Sequence, residues 1–210
     1  FWQTVRAGAV KAGKDLGVNV IWQGPQREDD RNMQIQVVQN FISRKVDAIV
    51  LAPLDDKALV RPVKRAVKNG IKVVIFDSAL DADDYVSFVA TDNAKGGELC
   101  AKRLCEVMGG KGKAMMMRYN VGSASTQKRE EGFLAGRKKY GPKITLVSTN
   151  QYGGATAGEA FKTAQNLLNR FGGDLQGVFC PNESTTYGML RAMKTSGKAE
   201  KVKFVGFDSS

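Results

Sequence analysis

Val73-Val74-Ile75-Phe76-Asp77-Ser78 is the stretch whose reading decides the fold. An unbroken apolar run stops abruptly at short hydrogen-bonding side chains. A strand buried on both faces reads this way, and such strands belong to parallel sheets covered by helices. The same ending recurs where Gly177-Val178-Phe179-Cys180 meets Pro181-Asn182-Glu183-Ser184-Thr185-Thr186. It recurs again where Val202-Lys203-Phe204-Val205-Gly206-Phe207 meets Asp208-Ser209-Ser210. In open α/β sheets ligands collect beyond the carboxyl ends of the strands. Asp77, Asn182 and Asp208 are therefore expected at one site. They offer many hydrogen bonds and little reactivity, which suits grasping a polyhydroxylated molecule rather than transforming it.

Outward from Asp77, apolar strands alternate with amphipathic helices. Val5, Ala9, Ala12 and Leu16 mark one helical face, closed by Gly17. Val18 to Trp22 reads as a strand, Met33 to Ile42 as a helix, Ala48 to Leu51 as a strand, and residues 56–68 as a helix. After the strand ending at Asp77 comes a short one at Val86 to Val89. The rhythm then repeats: helix 95–108, strand Lys113 to Met117, helix Ser125 to Tyr140, strand Ile144 to Ser148, helix Ala155 to Phe171, strand to Cys180, helix 185–195 and strand to Phe207. These two runs predict two doubly wound parallel α/β lobes, residues 1–91 and 92–210, with a cleft between them and a crossover near Ala90-Thr91-Asp92-Asn93. A helix opens the chain and a strand closes it, so an internal fragment of a longer protein is expected, truncated at both ends and marginal in isolation.

Composition narrows the function. Apolar residues make up 42% and charged residues 25% of 210, as in ordinary globular proteins. No apolar run reaches the length of a membrane span. Histidine is absent, which removes the commonest general base and metal ligand. Cys100, Cys105 and Cys180 match no zinc spacing and read as small core residues. No metal, cofactor or enzymatic activity is expected, since no nucleophile is paired with a base. The net charge is +11, but Lys and Arg are dispersed over many helices, with Arg137-Lys138-Lys139 the longest pure run. They read as solvated faces, and no nucleic acid partner is expected. Gly109-Gly110-Lys111-Gly112-Lys113 precedes a strand and lacks phosphate-loop spacing, so it is read as a turn.

Each remaining candidate has two readings. Phe1 and Trp2 either cover the C–H faces of a sugar ring or pack as a helix-end staple. Asp77 and Asp208 either accept bonds from adjacent hydroxyls or cap the following helices. Arg129 offers five donors in a fixed fork, or belongs to a surface charge run. Tyr152, in the turn Gln151-Tyr152-Gly153-Gly154, is a second aromatic wall or a loop aromatic.

Taken in order, Phe1-Trp2 with Gly8-Ala9, Val74-Ile75-Phe76-Asp77, Thr91-Asp92-Asn93 with Gly96-Gly97, Gly122-Ser123 with Arg129 and Gly132-Phe133, Pro181-Asn182-Glu183 and Val205-Gly206-Phe207-Asp208 resemble the periplasmic sugar-binding proteins of the ribose-binding type, which serve ABC transporters. The resemblance implies that Phe1, Trp2, Asp77, Arg129, Asn182 and Asp208 line a sugar site. It implies a periplasmic or extracytoplasmic monomer, free or lipid-anchored, that delivers its sugar to an ABC permease. It also implies further ligand groups and hinge crossovers beyond Ser210. Ser78 stands where ribose binders usually carry Arg, Tyr152 is the nearest aromatic to the usual position near Ala155, and Glu183 replaces an Asp, which points away from ribose. The rival is the sugar-sensing core of a LacI-type transcription regulator, which shares this fold and the Asp-Asn and Gly-Gly segment.

Overall fold

A computed structural model describes residues 1–208; Ser209 and Ser210, in the polar cluster after the third apolar run, lie outside the described residues. Two parallel sheets organise the chain. In the first, β1 (Ala48–Leu51), β2 (Lys72–Phe76) and β3 (Ser87–Val89) lie side by side in that order. In the second, β4 (Lys111–Arg118), β5 (Lys143–Tyr152), β6 (Gly177–Cys180) and β7 (Lys203–Gly206) are ordered β5-β4-β6-β7. Helices α1 (Trp2–Leu16), α2 (Arg31–Ser43) and α3 (Val60–Lys68) precede or interleave the first sheet. Helices α4 (Asn93–Val107), α5 (Ala124–Tyr140), α6 (Ala157–Phe171) and α7 (Glu183–Thr195) serve the second. The expected architecture of two parallel α/β lobes is the one observed.

The apolar runs of the second sheet form strands because both their faces find helices, whereas the first sheet buries one face and leaves Val50, Phe88 and Val89 exposed. In the C-terminal lobe Met115, Met117, Val178 and Cys180 pack with Ala160, Ala164, Met189 and Met193 of α6 and α7. Their neighbours Ala114, Met116 and Phe179 point the other way, onto Ala101, Leu104 and Phe133 of α4 and α5. The rings of Phe133 and Phe179 stack with centroids 4.2 Å apart. In the N-terminal lobe Val73 and Ile75 join Ile49, Leu51, Leu59, Val63 and Ala66. Each fully buried aliphatic side chain of this kind stabilises the fold by about 1.5–3 kcal/mol. Cys105 and Cys180 lie in these cores and Cys100 at their margin; burial raises all three thiol pKa values, that of Cys100 to about 11.

Helices α4 and α5 touch backbone to backbone. A Cβ at Gly97 would lie 1.9 Å from the Arg129 carbonyl oxygen, and one at Gly132 2.0 Å from that of Ala94. This close approach fixes the segment that carries Arg129. The turn at Gly109-Gly110 is as expected, both residues having positive φ at the exit of α4.

The sequence reading departs from the structure in three places. Val18 to Trp22 forms no strand; among the described residues no strand pairs with it, and all five residues are exposed. Apolar alternation supplies a local preference, whereas a strand also needs a ladder partner. The helix expected from residue 56 begins at Val60, because the Asp55 side chain first accepts bonds from the Lys57 and Ala58 amides and holds a turn. Strand β5 continues past Ser148 to Tyr152, following β4 through two register shifts.

Candidate functional site

The carboxyl ends of both sheets open onto one cavity. Seven of the eight predicted residues line it: Phe1, Trp2, Asp77, Ser78, Arg129, Asn182 and Asp208. The segment after β1 (Ala52, Pro53, Leu54), Glu28, Tyr119 after β4, and Ser123, Ser125 and Thr126 at the start of α5 complete most of the wall.

Asp77 and Asp208 end β2 and the β7 run in the same left-handed conformation, with φ of 63° and 66°. A non-glycine residue there costs about 1–2 kcal/mol. The ladder holds up to the kink, Asp77 donating its amide to Val89 O and Phe207 donating its amide to Cys180 O. The two carboxylates then meet different surroundings. Asp208 Oδ2 accepts from Arg129 Nη1 and from the Glu183 amide, both at 3.3 Å. The Asp77 carboxylate accepts no hydrogen bond among the described residues. Burial pushes its pKa above the ordinary aspartate value; Arg129 opposes that shift, while Asp208 and Glu28 add to it.

Arg129 is buried and held through its Nε and Nη1. Its Nε donates to Asn93 Oδ1 at 2.8 Å, its Nη1 to Pro181 O at 2.9 Å, and its guanidinium lies 3.8 Å from the centroid of Phe207. A surface charge run is thereby excluded for this residue. Asn182 caps α7: its Oδ1 accepts from the Thr185 hydroxyl at 2.6 Å and amide at 3.4 Å, and its Nδ2 donates to Ser184 Oγ. It lines the cavity and caps a helix at once. Phe1 and Trp2 meet edge to face at 5.0 Å, and Trp2 also meets Phe76 edge to face at 6.3 Å. Both aromatics therefore border the cavity while Trp2 is braced by the strand that ends in Asp77.

Tyr152 does not join this group. It ends β5, the outer strand of its sheet, stays 41% exposed, and lies beneath the Arg118 guanidinium at 5.8 Å. An edge strand carries its end away from the lobe interface. The C-terminal aromatic in the cavity is instead Tyr119, which is buried and donates its hydroxyl to Glu28 Oε2 at 3.0 Å. Burial, reinforced by Glu28, pushes the Tyr119 pKa well up, so it remains a donor. Its amide donates to Glu130 Oε1, and Glu130 pairs with Arg118 at 3.0 Å. Burial raises Glu130 to about 7, against the Tyr119 amide and the Arg118 charge.

Several bonds cross between the lobes. Ser125 donates its amide to Ser78 Oγ at 3.1 Å, Asp56 its amide to Gly122 O at 3.0 Å, and Arg31 Nη2 to Val121 O at 2.6 Å. Arg27 pairs with Glu159 at 2.9 Å. The wall thus combines carboxylates, amide and hydroxyl donors and aromatic surface. Such a surface can receive several hydroxyl groups while covering an apolar C–H face.

Two parallel α/β lobes that meet over a polar and aromatic cavity at their strand ends define a cleft-type solute-binding protein. The chain belongs to the periplasmic binding protein domain family, whose model matches residues 1–210. It is 30% identical to the D-allose-binding periplasmic protein of Escherichia coli (strain K12) over 99% of this chain and 68% of that protein. Among solved structures, it resembles an ABC transporter solute binding protein from Agrobacterium vitis with bound D-fucose (TM-score 0.92, 40% identity, 99% of this chain and 72% of that one). A carbohydrate transporter solute binding protein from Agrobacterium radiobacter in complex with D-arabinose is also similar (TM-score 0.94, 35% identity, 100% and 72%). The chain spans about two thirds of the length of the curated relatives it matches, including 66% of the Bacillus subtilis ribose import binding protein. No helix among the described residues is long and apolar enough to cross a membrane.

Proposed function

We propose that this chain captures a monosaccharide or related polyol between its two lobes, as the extracytoplasmic solute-binding component of an ABC importer. The observation that carries the reading is the convergence of Asp77 and Asp208, from separate sheets, on one cavity that Phe1 and Trp2 border. Asp77 has acceptor capacity to spare, which adjacent sugar hydroxyls satisfy. Asp208, Arg129 and Asn182 present a pre-ordered set of donors and acceptors opposite it, and the aromatic pair covers the sugar's apolar face. A ligand that touches both lobes favours the closed form, because only that form makes every contact. The lobes, residues 1–91 and 92–210, pivot at a crossover near Thr91-Asp92, and the closed form is presented to the membrane permease. The sugar-binding transport components among the relatives favour this reading over the sensor core of a transcription regulator.

The test is a sugar panel on the full-length protein that carries this chain, read by thermal shift and calorimetry. One aldose, ketose or deoxy sugar is expected to raise the melting temperature; at a hundredfold excess over Kd the gain is about 2.7 kcal/mol. Failure of every sugar to shift the transition at millimolar concentration overturns the proposal.

A further inference from the structure

Glu28 is a charged residue of the cavity that strand-end patterning does not account for. It lies in the loop between α1 and α2, outside any strand. Its Oε1 accepts from the Trp2 indole Nε1, and its Oε2 accepts from the Tyr119 hydroxyl of the opposite lobe. No cation pairs with it among the described residues. A carboxylate has about four lone-pair sites, and these bonds occupy one on each oxygen. The remaining sites border a cavity wall. A half-buried anion held there without a counter-charge gains from further hydrogen-bond donors.

Resting on the sugar-binding reading above, we propose that Glu28 is an additional ligand-reading carboxylate, assembled by lobe closure, that selects for one hydroxyl of the sugar. Trp2 and Tyr119 position it from the two lobes. The bond to Tyr119 exists only when the lobes meet, so the reader forms together with the closed state. The bond to Trp2 fixes the indole plane, which ties the aromatic platform to the same carboxylate. The buried Glu130 carboxylate, bonded to the Tyr119 amide, supports the donor from behind. Selectivity follows from closure over the ligand: a sugar lacking that hydroxyl leaves a Glu28 acceptor site unmet once the cleft shuts.

The experiment is calorimetry on the full-length protein with the best sugar of the panel and its singly deoxygenated analogues. Glu28→Gln is expected to weaken the parent sugar by about tenfold or more, the scale of a charge-assisted bond. One analogue is expected to bind wild type and Glu28→Gln within about twofold of each other. Tyr119→Phe, which keeps the ring and the fold, should weaken the parent by a few-fold and leave that same analogue unaffected. Equal losses on every analogue, or no loss on the parent, overturn the proposal and leave sugar binding intact. Should wild type bind no sugar at all, the underlying reading fails instead. Should Glu28→Gln not fold, the Tyr119→Phe series decides on the same criterion.

Discussion

Asp77 and Asp208 occupy matched places in the two lobes and behave differently. Each follows a strand, each adopts a left-handed backbone, and each borders the cavity. Asp208 is held by a guanidinium and a helix-end amide, whereas Asp77 lacks both. The C-terminal lobe therefore presents a carboxylate already paired with a cation, and the N-terminal lobe presents an unmet acceptor whose pKa is already raised. One backbone device serves two purposes, and the surroundings decide which. Removing Asp208 should damage the protein itself; removing Asp77 should damage only what it holds.

The largest effect is expected from Asp208→Asn. It leaves the Arg129 guanidinium buried without its anion, and breaking such a pair costs about 3–5 kcal/mol. Denaturant unfolding of the full-length protein should show the loss, with sugar affinity falling as well. Asp77→Asn should instead lower sugar affinity by about a hundredfold, as expected for charge-assisted bonds, with unfolding stability unchanged or increased. Equal destabilisation by the two substitutions would break the comparison. A third test uses pH. Asp77 must be ionised to accept fully from hydroxyls, and its pKa is raised. Affinity should therefore begin to fall on acidification at a higher pH than an ordinary aspartate near 3.9 would give, and the Asp77→Asn protein should lack that step.

Glu130 sharpens the contrast within the C-terminal lobe. Its folded pKa of about 7 lies above the ordinary 4.5, so the folded state binds more protons between those values. Its contribution is fully present below about pH 4.5 and is lost as pH rises through about 7. Glu130→Gln should flatten that part of the stability profile. The smallest effect belongs to Tyr152→Ala, which should change sugar affinity by less than about 0.5 kcal/mol, as for a surface substitution away from the site.

Much of the site was legible because strand ends announce themselves: an apolar run stops, and the next side chains are short and polar. That rule found Asp77, Asn182 and Asp208; after β4 the apolar run meets Arg118 and Tyr119, a long cation and a large ring, and the signal is masked. Glu28 gave no such signal. Within Gln26-Arg27-Glu28-Asp29-Asp30 it reads as one charge of a solvated loop, and only the fold brings it to Trp2 and Tyr119. Tyr152 failed for the converse reason. Its local pattern is that of a strand end, but sheet order is non-local, and β5 lies at the edge. Val18 to Trp22 likewise has a strand's composition without a strand's partner.

The glycine contacts between α4 and α5 constrain how a cleft of this kind can diversify. Even a methyl group at Gly97 or Gly132 would drive the two backbones apart and carry Arg129 away from Asn93 and Pro181. Descendants with new sugar preferences must then leave that seam alone. Their freedom lies in side chains that project from the opposite lobe, such as Glu28, which hangs from a loop outside the sheets.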